Sequence, residues 1–356
     1  MLLDNLERYT ELDTLGMGDH IDGLPDQIEA AWAHAQMLPL PRVGDVANIV
    51  ICGMGGSAIG GALLKSLLAS ECPAPIESVR DYDLPAYVGP NTLVIGSSHS
   101  GNTEETLAAI EAAAARGAQL VSFSTGGVLA QRTPQLGGTH WHFDYASQPR
   151  AAIGYALMLP LALLSRLGLV RDFSADVKAA VATLRRQQQT LKREAPLAQN
   201  PAKRLAGQFI ERFIILVAAE PLAPVARRWA GQIAENGKAW AQHLALPEMD
   251  HNAVAGIELP AHLAEKTMVF FLESSQAHAR NQARVALTRE LFTTAGYNTD
   301  ALPARGDTRL EQMLSALHFG DYMSYYLAIA YGVDPTPIDT LVWFKEQLAT
   351  VQTDHP

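Results

Sequence analysis

The feature that most limits what this chain can fold into is a repeating order: short β-branched runs, tight loops bearing glycine or serine, then stretches with helical spacing. Residues 46–52, 76–79, 92–96 and 120–123 are apolar runs too short for helices and rich in Val and Ile, as strands covered on both faces are. Between them, 58–69 and 103–115 carry helical spacing, with Gly117 placed to end the second. A helix over 24–37, with Pro25 in its first turn, precedes the first run. Strands alternating with helices predict an α/β fold, a doubly wound and mainly parallel sheet flanked by helices.

The order then restarts. An apolar helix over 154–168 is followed by a charged, Gln-rich, amphipathic stretch, 176–204, which reads as a bridge. Strands at 213–219 and 266–272 and helices at 277–295 and 315–332 predict a second α/β unit. Pro335 and Pro337 come before a final helix over 338–351, whose register exposes Lys345 and Glu346. Because 356 residues exceed what one core usually supports, we expect a first domain over 1–170, a helical linker over 171–204 and a second domain over 205–356.

Charge narrows the partners. The 27 Lys and Arg against 37 Asp and Glu give a net charge of −10, and no basic run offsets it, which argues against a nucleic-acid groove or an anionic membrane surface. The apolar stretches 153–170 and 213–226 are interrupted and fall short of the ~20 residues that span a bilayer. Asp4, Glu7 and Arg8 occupy the start where a signal peptide would need an apolar segment. Only Cys52 and Cys72 occur, too few for a disulfide framework, so a cytoplasmic protein is expected.

Two loops carry chemistry. Gly53-Met54-Gly55-Gly56-Ser57-Ala58 lies between a strand and a helix, where backbone N–H groups and the helix dipole bind anions. It also fits the G-x-G-x-x-A pattern of dinucleotide folds, with Asp81 at a tolerable distance for a ribose. The next such loop holds Ser98, Ser100 and Thr103, three hydroxyls beside a helix start, a phosphate cradle that needs no lysine. The plain alternative is helix capping, with Asn102 and Glu105 as a capping-box-like pair. His140 and His142 share a strand face, yet no spacing supplies a third ligand, so no metal and no cofactor are expected.

The strings at residues 53–61 (GMGGSAIGG) and 98–106 (SHSGNTEET) resemble the sugar isomerase (SIS) domain and, more narrowly, the bifunctional phosphoglucose/phosphomannose isomerase family. Further matches run in order along the chain: 24–27 (LPDQ), 148–150 (QPR), 235–238 (ENGK), 246–252 (LPEMDHN) and 332–337 (GVDPTP). The resemblance implies two SIS-type domains and a cofactor-free aldose–ketose isomerase that interconverts glucose 6-phosphate, and mannose 6-phosphate, with fructose 6-phosphate through an enediolate. It implies that Gly55, Gly56, Ser57, Ser98, Ser100 and Thr103 hold the phosphate, that Glu235 is the catalytic base and that Arg150 is the cation for the enediolate. By the same resemblance Lys345 contacts the ring oxygen or helps to open the ring, and His251 opens the ring of a substrate held by the other subunit of a homodimer.

The residues themselves are compatible with these roles. Glu235 and Asn236 interrupt a helical stretch rich in Ala, Ile and Trp, and a histidine titrates near neutrality. The chain departs from the family string at Asp250, where Asn is usual, and at Ala253, where Glu is usual; a carboxylate beside His251 would favour its protonated form. Thr336 and Thr340 both lie where they bear on the C2–C3 rotation that a second epimer requires. A non-catalytic sugar-phosphate-binding SIS protein would carry a DNA-reading module, and no such segment precedes residue 40. An aminotransferase would need an N-terminal cysteine, and a nicotinamide enzyme would leave Ser98, Ser100 and Thr103 dispensable.

Overall fold

The computed structural model describes residues 2–351. The first half contains α1 (Leu6–Leu12), α2 (Met17–Asp22), α3 (Leu24–Met37), β1 (Asn48–Cys52), α4 (Gly55–Leu68), β2 (Ile76–Val79), β3 (Thr92–Ser97), α5 (Glu104–Ala115), β4 (Gln119–Ser124), α6 (Gly127–Gln135), β5 (Thr139–His142) and α7 (Ile153–Arg166). The second contains α8 (Ser174–Gln188), α9 (Pro201–Phe209), β6 (Phe213–Ala219), α10 (Ala223–Glu235), β7 (Ala241–Leu246), α11 (Leu263–Lys266), β8 (Thr267–Glu273), α12 (Ala279–Thr294), β9 (Asn298–Pro303), α13 (Arg309–Tyr331) and α14 (Asp339–Leu348).

The strands pair in the orders β2-β1-β3-β4-β5 and β7-β6-β8-β9, and every pair is parallel. Alternation along the strands sorts their side chains. Ile49, Ile51, Leu93 and Ile95 face one core, while Val50 and Val94 face α5 through Ala109 and Ile110. In the second sheet Ile214, Leu216, Met268 and Phe270 face that same first core, and Val217, Val269 and Phe271 pack on Val285 and Phe292 of α12. One apolar interior is therefore shared by both sheets.

The stretch expected as a bridge is part of that interior. Val177, Ala180, Val181 and Leu184 of α8 are buried among residues of the shared core, and the helix packs on α3 and α13. The helix expected from residue 315 starts earlier, at Arg309, because Thr308 and Glu311 form a capping box. From Leu310 to Ile329 α13 is buried on every side, and its polar residues are bonded inward: Gln312 to Ser274, His318 to Ile21, Asp321 to Arg228 and Ser324 to Asn236.

Candidate active site

In an open parallel sheet, ligands bind at the carboxyl ends of the strands where the connections diverge to either side. In the first sheet that point lies between β1 and β3, the strands that lead into the glycine loop and the serine loop.

In the serine loop, Ser98 Oγ accepts the Gly101 N–H (3.1 Å) and lies 2.8 Å from Thr103 Oγ1, while Ser100 Oγ accepts the Asn102 N–H (3.2 Å). Gly101 sits at φ 70°, where a Cβ would fall 1.9 Å from the Gly126 carbonyl oxygen. The expected alternative of a capping box is not formed: Thr103 is the N-cap, no side chain caps α5, and Asn102 Oδ1 accepts instead from Val128 N–H (2.9 Å). The first-turn amides of α5 are thus left for a ligand, with three hydroxyls beside them.

The glycine loop packs against a turn that the sequence disguised. Arg150 lies in a 3-10 turn, Pro149–Ala151. A Cβ on Gly56 would stand 2.6 Å from the Pro149 carbonyl oxygen, so only glycine lets α4 start this close to it. Ser57, Ser98 and Pro149 line one small cleft.

Arg150 is buried, 3% exposed, and most of its donors are taken up: Nε donates to Asn236 Oδ1 (2.8 Å) and one terminal nitrogen donates to the carbonyls of Pro335 (2.9 Å) and Thr336 (2.7 Å), while the other makes no hydrogen bond among the described residues and stands 3.6 Å from the Glu235 carboxylate. Burial lowers the Arg150 pKa; Glu235 opposes that shift and Arg228 adds to it. Glu235 ends α10 and remains partly open to solvent. It lines a cavity of 240 Å³ with Gly55, Gly56, Arg80, Arg150, Arg227 and Arg228.

A second layer holds these groups. Arg228 donates to both oxygens of Asp321 (3.1 and 2.8 Å) and to the Arg150 carbonyl (3.0 Å), and Gln232 donates to Asp321 (3.0 Å). Both members of the Arg228–Asp321 pair are buried. Arg228, Asp321, Arg80 and Arg227 escaped the sequence reading. The spacing of Arg227, Gly231, Gln232 and Glu235 along one helix face was the available signal.

Of the remaining sequence candidates, Lys345 lines a 400 Å³ cavity with Ser100 and Thr103, so it faces the cradle and not the cavity that holds Glu235. Thr336 is buried next to Arg150 and its hydroxyl makes no hydrogen bond among the described residues, whereas Thr340 is exposed on α14. His251 ends an exposed turn and lines neither cavity. Its neighbour Asp250 accepts from Arg284 (2.9 Å) and Thr288 (2.8 Å). His140 bonds to Ser122 (2.8 Å) and His142 to Asp144 (2.8 Å). No helix among the described residues is long and apolar enough to cross a membrane.

Paired parallel sheets with a hydroxyl cradle at one switch point define the class, a phosphosugar-isomerase (SIS) fold. The C-terminal domain of glucosamine-fructose-6-phosphate aminotransferase from Francisella tularensis shares it, with a TM-score of 0.72 at 13% identity, covering 90% of this chain and 98% of that one. Residues 198–348 match the family described as the bacterial phospho-glucose isomerase C-terminal SIS domain. A bifunctional phosphoglucose/phosphomannose isomerase of Caldicellulosiruptor bescii is 36% identical over 94% of this chain and 100% of its own length. One from Aquifex aeolicus is 34% identical over 85% of this chain and 90% of its own. The chain belongs to the bifunctional phosphoglucose/phosphomannose isomerase family.

Proposed function

We propose that this protein interconverts glucose 6-phosphate and mannose 6-phosphate with fructose 6-phosphate, using no cofactor. The observation that carries the reading is the Glu235 carboxylate 3.6 Å from the buried Arg150, at the end of a helix that meets the glycine loop beside the serine cradle. The phosphate is held by Ser98, Ser100, Thr103 and the first turn of α5, with Ser57, Gly55 and Gly56 closing the other side and Lys345 facing the cradle. Glu235 takes the proton from C2 and returns it to C1 while the hydroxyl proton passes from O2 to O1, so no net oxidation occurs. The enediolate charge develops next to the Arg150 guanidinium, which is already fixed and cannot lose its proton.

Ring opening needs an acid–base group, and no histidine among the described residues lines the cavity of Glu235 or that of Lys345. We assign it to His251 of a second subunit in a homodimer. The His251 turn is anchored to α12 through Asp250, and Leu287 and Leu291 of α12 are exposed apolar side chains that support a contact between subunits there. A working place in the cytoplasm fits a sugar-phosphate substrate and two cysteines, of which Cys52 is buried with its thiol pushed up to about 12.

The test is a coupled assay with glucose 6-phosphate and mannose 6-phosphate in parallel, on wild type and E235Q. Turnover of both should fall by ~10²–10⁴-fold in E235Q, with binding of the sugar phosphate nearly intact. Comparable loss of binding would make Glu235 a structural residue, and residual turnover above a tenth would remove it as the base.

A further inference from the structure

The cavity that holds Glu235 continues along the groove between α4 and α10, and its far end is cationic in a way the isomerisation does not use. Arg80 follows β2, the edge strand of the first sheet; His243 lies on β7, the edge strand of the second; Arg227 lies on α10 two turns before Glu235. Arg80 and Arg227 line the cavity, and a Cβ on Gly231, between Arg227 and Glu235, would meet nothing within 4 Å, so the groove is open there.

The two buried arginines of the cavity are mostly committed: Arg150 donates to Asn236 and to backbone carbonyls, Arg228 donates to Asp321 and the Arg150 carbonyl, and each keeps one terminal nitrogen without a hydrogen bond among the described residues. Arg80 and Arg227 differ. Arg80 makes one long bond, 3.5 Å, to the Ala58 carbonyl, and Arg227 donates none among the described residues. The nearby carboxylate of Glu77 is paired with Lys65 (2.9 Å). Burial lowers the His243 pKa, with Arg227 and Arg80 adding to the shift, and burial together with Arg227 lowers that of Arg80. A protein of net charge −10 thus places two sparsely bonded guanidinium groups that disfavour one another's charge on one cavity. An anion removes that repulsion.

We propose that Arg80 and Arg227 form a second anion subsite, which takes the far phosphoryl group of a hexose bisphosphate whose other phosphoryl group sits in the serine cradle. The inference rests on the cradle reading above. It makes sugar bisphosphates competitive inhibitors of this isomerase, since one end occupies the substrate's place and the other adds contacts that the substrate lacks.

The experiment compares inhibition of the full-length protein by glucose 1,6-bisphosphate and by sorbitol 6-phosphate, which has no second charge. The bisphosphate should bind at least about tenfold more tightly, the equivalent of one charge-assisted hydrogen bond, and R80A/R227A should abolish that margin. The ratio of the two inhibition constants is the readout, so a general loss of activity leaves it interpretable; R227E, at an exposed position, serves if the double variant folds poorly. Equal inhibition in the wild type, or a margin that survives both variants, overturns the subsite. In S98A/S100A/T103A both inhibitors should weaken together. If both are untouched by that triple change, the cradle fails and the subsite with it; if both weaken but the arginine variants change nothing, the subsite alone is wrong.

Discussion

Removing the negative charge of Asp321 tests how the active-site arginine is held. Arg228 and Asp321 are 3% and 5% exposed, bonded through two oxygens, and Arg228 passes the constraint on through its 3.0 Å bond to the Arg150 carbonyl. Burial raises the Asp321 pKa, and the paired guanidinium opposes that rise. In D321L the Arg228 charge is buried without a counter-charge, and in R228M the Asp321 charge is; either situation costs about 3–5 kcal/mol. The double variant R228M/D321L removes both charges and fills similar volume, and should lie within about 1.5 kcal/mol of wild type, giving a coupling of about 4 kcal/mol or more. Urea unfolding of the wild type, both single variants and the double measures this. Activity should part from stability: the stable double variant leaves the Arg150 carbonyl without its donor, so kcat should fall about tenfold while KM, set at the cradle, moves little. Additive stability losses would refute the coupling, and full kcat in the double variant would refute the positioning role.

Two further outcomes follow from packing. His318 is fully buried as a neutral ring, its Nε2 at 2.8 Å from the Ile21 carbonyl, and burial holds its pKa at about 4. The unfolded chain binds this proton near pH 6.5, so stability is complete above that pH and falls by about 3 kcal/mol as the pH drops towards 4. H318Q should flatten that part of the pH–stability curve, and parallel curves would disprove it. Gly56→Ala forces α4 away from the Pro149 carbonyl, 2.6 Å from the new Cβ, and should lower kcat more than tenfold in the coupled assay with secondary structure intact by circular dichroism; unchanged turnover would show that the turn carrying Arg150 can retreat freely.

The parts of the fold that the sequence displayed were those whose burial is one-sided in composition. β1, β3 and β6 are continuous Val, Ile, Leu and Ala runs and stand in the structure within two residues of where they were expected. β7, with its exposed Gln242 and Ala245, and β9, with Asn298, Thr299 and Asp300, are edge strands that one neighbour covers, and their mixed composition hid them. The capping box of Thr308 and Glu311 was in plain view and would have placed the start of α13. The cradle was legible because its chemistry is local: consecutive hydroxyls bond within one loop. The support for Arg150 was not, because Asn236, Arg228 and Asp321 come from positions 78 to 171 residues away and declare themselves only when α10 and α13 pack. Lys345 and His251 show the same limit, since nothing in a spacing says which cavity, or which subunit, a distant side chain serves.

The long central helix α13 has a mechanical consequence. Its flanks bind α8, α9 and α10 while its polar stripe reaches Asp22 and Ile21 near the chain's beginning, so the two lobes share one axle. They cannot hinge about the connecting stretch as loosely tethered lobes would. What rides outside that axle is α14, which buries no residue and whose Lys345 lines the cavity of Ser100 and Thr103.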